Sequence, residues 1–285
     1  MESKFATVNG VRLNYGEGPP NGPSLVFLPG FPDTWSEALP ILAAFQPDYH
    51  VFAPTHRGLG ESGHAAPYRI ADWVADSAAF VREVAGAPVL GIGHSAGSWF
   101  GLSAAGKDPG LFRAFVSLDQ PLDPTVHVAN HKPNVPIYGG IAAAMRAATG
   151  REDLARRLAA VPSTLGGTWG DHEDGAELLE DADFFRAADP AIFAAWERDD
   201  LAAWLLVPEL QGWPGAYTGP VLFCDGDPAA GSLVTTEAQA YNRERYPWAE
   251  RVQVPGSSHM MGISDDPSAA VAEICRFFSK LAPGS

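Results

Sequence analysis

The stretch Ala87-Pro88-Val89-Leu90-Gly91-Ile92-Gly93-His94-Ser95-Ala96-Gly97-Ser98-Trp99 decides the fold. Its first half is short, apolar and partly β-branched, the pattern of a buried strand rather than a helix. Helix-compatible residues follow. Gly93-His94-Ser95-Ala96-Gly97 therefore reads as G-x-S-x-G at a strand-to-helix turn, the context in which that pentapeptide carries meaning. So sharp a turn holds its central residue in strained backbone, and a side chain at either glycine would meet the neighbouring strand or helix. Ser95 is pushed out above the sheet. The helix opening at Ala96 aims unpaired N–H groups and its positive end at any oxygen that gains charge beside it. A glycine-rich turn with a capping serine would carry the same five letters, so the rest of the chain has to support the reading.

The 285 residues suffice for one large α/β domain or for a core with an insertion. Hydrophobic residues make up 46% and charged residues 19%, enough for a sizeable core. Nineteen Lys and Arg against 34 Asp and Glu give a net charge of -15, which disfavours nucleic acid and anionic membrane surfaces as partners. Cys224 and Cys275 lie far apart in apolar segments and read as buried free thiols. The N-terminal residues lack the apolar core of a signal peptide, and no run is long and apolar enough to span a membrane, so the expected localisation is cytoplasmic.

Outward from the turn, strands are predicted at 5–8 and 11–15, joined by an Asn9-Gly10 hairpin, and at 24–28. A loop, Leu28-Pro29-Gly30-Phe31-Pro32-Asp33-Thr34-Trp35, precedes a helical segment at 35–45, a strand at 50–53 and an amphipathic helix over 70–85. After the turn come a helix to about residue 107 and a strand at 113–119. The alternation resumes at 220–224, continues at 238–245 and 251–254, and closes with a helix over 267–280. Strands alternating with helices predict a mostly parallel sheet covered on both faces. Between them, residues 120–219 are Ala- and Leu-rich, broken by Pro and Gly, and carry four of the eight tryptophans. They read as a helical cap domain inserted into a core formed by 1–119 and 220–285.

The chain resembles the α/β-hydrolase fold superfamily over essentially its whole length. Besides the turn at Ser95, Leu28-Pro29-Gly30-Phe31-Pro32 is similar to the family's H-G-x-P loop, with Pro29 where His is usual. Thr55-His56-Arg57-Gly58-Leu59-Gly60-Glu61-Ser62 is similar to D-x-R-G-x-G-x-S, with Thr55 replacing Asp, and Gly256-Ser257-Ser258-His259 stands where the family has its catalytic histidine. The resemblance implies a helical cap between the sixth and seventh strands. Related dehalogenases and epoxide hydrolases place Asp at the turn, because a carboxylate attacks carbon and forms an alkyl ester. A serine attacks a carbonyl, so the resemblance implies ester, lactone or related acyl chemistry on a small apolar substrate, without cofactor or metal. His259 would act as base and acid, and the backbone N–H groups of Ala96 and Phe31 would hold the oxyanion.

The orienting acid has two candidates. Its usual place follows the seventh strand in a G-x-x-D pattern, and Gly226-Asp227-Pro228-Ala229 has alanine there. Asp227 and Asp225 are near enough to substitute, or are loop acids capping a turn. Some members, including dehalogenases and zearalenone-type lactonases, carry the acid after the sixth strand, where this chain has Ser117-Leu118-Asp119-Gln120-Pro121. A carboxylate closing an apolar strand needs a partner, and His259 would be one. Asp119 is favoured, with Asp227 as the alternative. Gly30, Pro32, Trp169, Trp196, Trp204 and Trp213 are candidate substrate contacts. Trp99 reads as core and His94 as a packing or hydrogen-bonding residue. His127 and His131 are spaced i, i+4 without an H-E-x-x-H pattern and read as part of a solvated cap segment rather than as metal ligands. Two other functions suit the same fold: a cofactor-free dioxygenase of N-heteroaromatic substrates, and a non-catalytic ligand receptor. The sequence leaves the oligomeric state open.

Overall fold

A computed structural model describes residues 1–207, 216–263 and 266–281. Eight strands form one sheet: β1 (Glu2–Val8), β2 (Val11–Glu17), β3 (Ser24–Leu28), β4 (His50–Pro54), β5 (Val89–His94), β6 (Phe112–Leu118), β7 (Val221–Asp225) and β8 (Glu250–Gln253). Their order is β1-β2-β4-β3-β5-β6-β7-β8. β1 pairs antiparallel with β2, and β2 antiparallel with β4. Every other pairing is parallel. Asn9 and Gly10 both adopt positive φ, as the β1–β2 hairpin requires.

The parallel strands are covered on both faces, and their side chains alternate accordingly. Leu25 and Phe27 of β3, Leu90 and Ile92 of β5, and Ala114, Val116 and Leu118 of β6 enter the core beneath α1 (Leu39–Phe45) and the C-terminal helix. Val26, Leu28 and Phe115 enter the opposite core, beneath α2 (Ile70–Phe80) and α3 (Ala96–Lys107). Gly91 lets the sheet pack there: a Cβ would stand 2.6 Å from both Phe112 and Phe115.

Between β6 and β7 the chain forms a helical insertion: α4 (Pro124–His131), α5 (Val135–Ala147), α6 (Arg151–Leu158), α7 (Gly175–Arg186), α8 (Ala194–Glu197) and α9 (Leu201–Leu205). Two helices follow in the second half of the sheet, α10 (Thr236–Arg245) and α11 (Ser268–Ser279). Among the described residues no helix is long and apolar enough to cross a membrane.

Three of the boundaries that differ from expectation have a visible cause. The segment expected to be helical from Trp35 starts its helix only at Leu39, with a proline in the first turn. Trp35 is held outside it by bonds from its backbone N–H to Thr55 Oγ1 and from its indole to Asn14 Oδ1. The helix expected over 70–85 is α-helical to Phe80 and widens into a π turn over Val81–Ala85, closed by Gly86 at φ 79°. β5 begins after Pro88, which cannot donate to the ladder, and runs to His94.

Candidate active site

Ser95 ends β5 and precedes α3 with φ 49° and ψ -126°, a conformation L residues adopt only when their surroundings impose it. Here the surroundings do. A Cβ on Gly93 would lie 2.5 Å from the Ser98 nitrogen, and one on Gly97 would lie 2.1 Å from the Leu28 carbonyl oxygen, so both positions must be glycine for helix and strand to approach this closely. Ala96 is the first residue of α3, whose opening N–H groups have no intrahelical acceptor.

The neighbouring strand supplies a buried carboxylate. β5 and β6 pair in register, His94 opposite Leu118, and β6 pairs with β7, Leu118 opposite Cys224. Ser95 and Asp119, each immediately after its paired residue, and Gly226, immediately after β7, therefore emerge at the same C-terminal edge of the sheet. The ladder continues into the turn: Ser95 N–H donates to Leu118 O at 3.1 Å, and Asp119 N–H to Cys224 O at 3.0 Å. Asp119 also has positive φ, 47°. Its side chain is fully buried and saturated with donors: Gly226 N–H (2.8 Å) and the Ser232 hydroxyl on Oδ1, Leu233 N–H (2.9 Å) and His259 Nδ1 (2.7 Å) on Oδ2. Burial pushes this carboxyl up, but the His259 hydrogen bond and charge, with Ser232 and Gly226, hold it below the usual range. His259 Nδ1 consequently carries its proton towards Asp119, leaving Nε2 as the free lone pair of the neutral ring.

Asp227 sits elsewhere. Its carboxylate caps a short turn, accepting from Ala229 N–H (2.9 Å) and Gly256 N–H (3.0 Å), and these bonds lower its pKa. Asp225 is buried with Oδ1 unpartnered. Burial and then the Asp119 charge push it up to about 7.

His94 is buried and clamps the loop that bears His259. Its Nε2–H donates to the His259 carbonyl oxygen at 2.9 Å, and the two rings lie 5.0 Å apart. Burial, then the nearby His259, pushes His94 down to about 3, so it remains neutral. Its Nδ1 is 3.8 Å from Asp33 Oδ2. Gly30 completes this wall, since a Cβ there would come within 2.9 Å of His94 Nδ1 and 3.3 Å of Ser95 Cβ. The two departures from the family's motifs are absorbed by backbone and hydroxyl contacts. His56 bonds the Pro29 carbonyl at 3.0 Å, and the Thr55 hydroxyl accepts from Trp35 N–H. A buried Arg57–Asp76 ion pair anchors the intervening loop.

In front of Ser95 lies a narrow cavity lined by aromatic and apolar side chains, among them Phe31, Trp99, Trp196 and Trp204, together with His127 and His131. Phe31 and Trp196 stack face to face at 5.1 Å, and Trp204 packs on Trp196 at 5.1 Å while its indole donates to Tyr68 O. Several expectations are corrected here. Trp169 is half-buried against Phe185, away from the cavity lining. Gly30 and Pro32 shape the loop but do not line the cavity. Trp99 does line it, although it reads as core from helical spacing. His127 and His131 are not solvated: they pack ring to ring at 4.2 Å beneath Trp99. No group of three potential metal-ligating side chains gathers among the described residues. Trp213 lies outside the described residues.

The family model described as "Alpha/beta hydrolase family" matches residues 25–274. Over 144 residues the chain is 31% identical to the "Probable oxidoreductase EphD" of Mycobacterium tuberculosis and of Mycobacterium bovis. That match covers 47% of this chain but only 22% of those proteins. In structure the chain is similar to an E-2-(acetamidomethylene)succinate hydrolase (TM-score 0.70, 22% identity, 98% of this chain and 99% of the other). It is similar also to an epoxide hydrolase from Vigna radiata (0.71, 20%, 98% of each) and to an esterase from Thermogutta terrifontis (0.69, 17%, 99% of each).

Proposed function

Because the chain belongs to the alpha/beta hydrolase family, we propose that it is a serine hydrolase cleaving a carboxylic ester or lactone of substantially apolar character through an acyl-enzyme. The observation that carries this reading is the serine on a strained turn at the same sheet edge as the Asp119–His259 pair. An epoxide or alkyl halide would call for a carboxylate at position 95, since only that forms a hydrolysable alkyl ester. An alkoxide at position 95 suits a carbonyl.

In the proposed reaction the Ser95 hydroxyl attacks the carbonyl carbon while its proton passes to His259 Nε2. The C=O electron pair moves onto oxygen, and the N–H groups of Ala96 and Phe31 hold that oxyanion. Collapse breaks the bond to the leaving alkoxide, which takes the proton from His259. Water then attacks the acyl-serine with His259 as base, releasing acid and free Ser95. Asp119 keeps the imidazole in the productive tautomer and stabilises its cation. Among the described residues Ser95 Oγ and His259 are not hydrogen-bonded, so the ring closes on the hydroxyl as substrate binds, a tightening common to such sites. Residues 120–219 act as the cap, with Trp196 and Trp204 sheltering the acyl or alcohol group.

A fluorophosphonate probe should label Ser95 covalently, and Ser95→Ala should lose both labelling and at least ~10³ in kcat towards p-nitrophenyl esters while melting normally. Oxygen consumption with an N-heteroaromatic substrate in the absence of ester turnover would replace this reading with a dioxygenase. Saturable binding without turnover or labelling would replace it with a receptor.

A further inference from the structure

The cavity wall facing Ser95 contains more hydrogen-bonding capacity than the fold uses. His131 is largely buried, and among the described residues neither ring nitrogen has a partner. The indole nitrogens of Trp99 and Trp196, both buried, are likewise unpaired, and both side chains line the same cavity. Buried polar atoms are almost always satisfied, so several orphans around one cavity point to a missing partner.

The polarity of that partner follows from Gln120. Its side-chain nitrogen lies 2.6 Å from the Pro121 carbonyl oxygen, which can only accept, so the amide is oriented with its NH2 group there. The second N–H of the same group points at His127 Nδ1, 3.1 Å away. Nδ1 must therefore accept, and the proton of the neutral ring sits on Nε2. Indole nitrogens only donate. The unspent groups are three donors, the two indoles and one nitrogen of His131, and two acceptors, the other His131 nitrogen and Gln120 Oε1; His127, which lines the same cavity, carries its proton on Nε2. A neutral oxygen answers them: a carbonyl accepts from the donors, and a hydroxyl can also donate to the acceptors.

We propose that this wall is a specificity site that binds a second, neutral oxygen of the substrate, a hydroxyl or carbonyl on its aromatic or apolar skeleton, through His127 and His131. The inference rests on the reading of this cavity as the substrate site. A carboxylate fits less well, because among the described residues no Lys or Arg lines the cavity. Burial keeps both imidazoles neutral, with His131 pushed down to about 4 and His127 well below its ordinary value. Trp99 fixes the pair from behind, its ring 4.5 Å from that of His127.

The test uses unreactive ligands and needs no turnover. Calorimetric binding of 4-ethylphenol, 4-ethyltoluene and 4-ethylbenzoate is measured on the full chain bearing Ser95→Ala, then with His131→Phe or His127→Phe added. The phenol should bind about tenfold more tightly than the toluene, as one buried hydrogen bond allows. That preference should fall below about twofold in either histidine variant. Nitrogen-15 spectra of the histidine rings should show the phenol shifting His127 and His131 in the Ser95→Ala chain, a readout that requires no further variant to fold. Equal binding of phenol and toluene, a preference that survives both substitutions, unmoved imidazole signals, or tighter binding of the benzoate would each overturn the proposal. Failure of the hydrolase reading shows separately, as absent fluorophosphonate labelling of Ser95 with the phenol preference intact.

Discussion

Asp119→Asn tests the site most sharply, because the hydrogen bonds leave the substituted amide no good orientation. With its oxygen kept on Gly226 N–H and the Ser232 hydroxyl, the new NH2 group faces Leu233 N–H and His259 Nδ1. The amide then donates to Nδ1, the imidazole proton moves to Nε2, and the lone pair that should accept the Ser95 proton is gone. The flipped amide sets its NH2 against Gly226 N–H instead. Either way one buried N–H is left facing a donor, at about 1–3 kcal/mol of stability. The charge that stabilises the imidazolium is also lost. The same change in a serine protease lowers kcat by about 10⁴, or ~5.5 kcal/mol at 1.36 kcal/mol per tenfold, and a comparable loss is expected here. Asp227→Asn keeps an oxygen for Ala229 N–H and gives up only the Gly256 N–H bond, and should lower the rate less than about threefold. The comparison is made with p-nitrophenyl butyrate near pH 7.5, on protein matched by circular dichroism and melting curve. A crippled Asp227→Asn beside a nearly active Asp119→Asn would refute the assignment and move the acid to the loop after β7.

Trp204→Ala should lengthen the cavity in front of Ser95 while sacrificing the edge contact with Trp73 and the bond to Tyr68 O. The ratio of kcat/KM for p-nitrophenyl octanoate over acetate should rise about tenfold, and an unchanged ratio would take Trp204 out of substrate selection. Asp225 yields a stability prediction. Its folded pKa of about 7 lies above the ordinary 3.8, so the folded chain holds this proton more tightly than the unfolded one. The stabilisation is fully present below about 4 and lost as pH rises through 7, by up to ~4 kcal/mol. Asp225→Asn should therefore flatten the decline in Tm between pH 5 and pH 8, and a variant with the parent's slope would place the titration elsewhere.

What the sequence makes legible follows from how local each constraint is. The turn at Ser95 can be read directly because Gly93 and Gly97 face backbone atoms 2.5 and 2.1 Å from where a Cβ would stand, a demand that only glycine meets. The alternation of Leu25, Val26, Phe27 and Leu28 between two cores likewise follows from the strand's own period. The Asp119–His259 contact is less local. Sequence can place Asp119 at the end of an apolar strand, but its nearness to Ser95 depends on β6 lying beside β5 in register. His94 is harder still: nothing around position 94 announces that its ring will clamp the His259 carbonyl 165 residues away.

The insertion resists sequence reading for a different physical reason. Its helices carry mixed faces, and burial depends on which face meets the core rather than on composition. His127 and His131 lie in α4, Pro-Thr-Val-His-Val-Ala-Asn-His, whose modest polarity fits a solvated surface. Packing against Trp99 of α3 and the Gln120 amide removes both rings from water instead. In the proposed function the chemistry of attack is thus written in a short strained turn, where few residues are sterically allowed. In the same proposal the choice of substrate rests on long-range contacts between α3 and the insertion, such as Trp99 against His127. If that reading holds, changing one histidine would alter what the cavity accepts without disturbing the turn at Ser95.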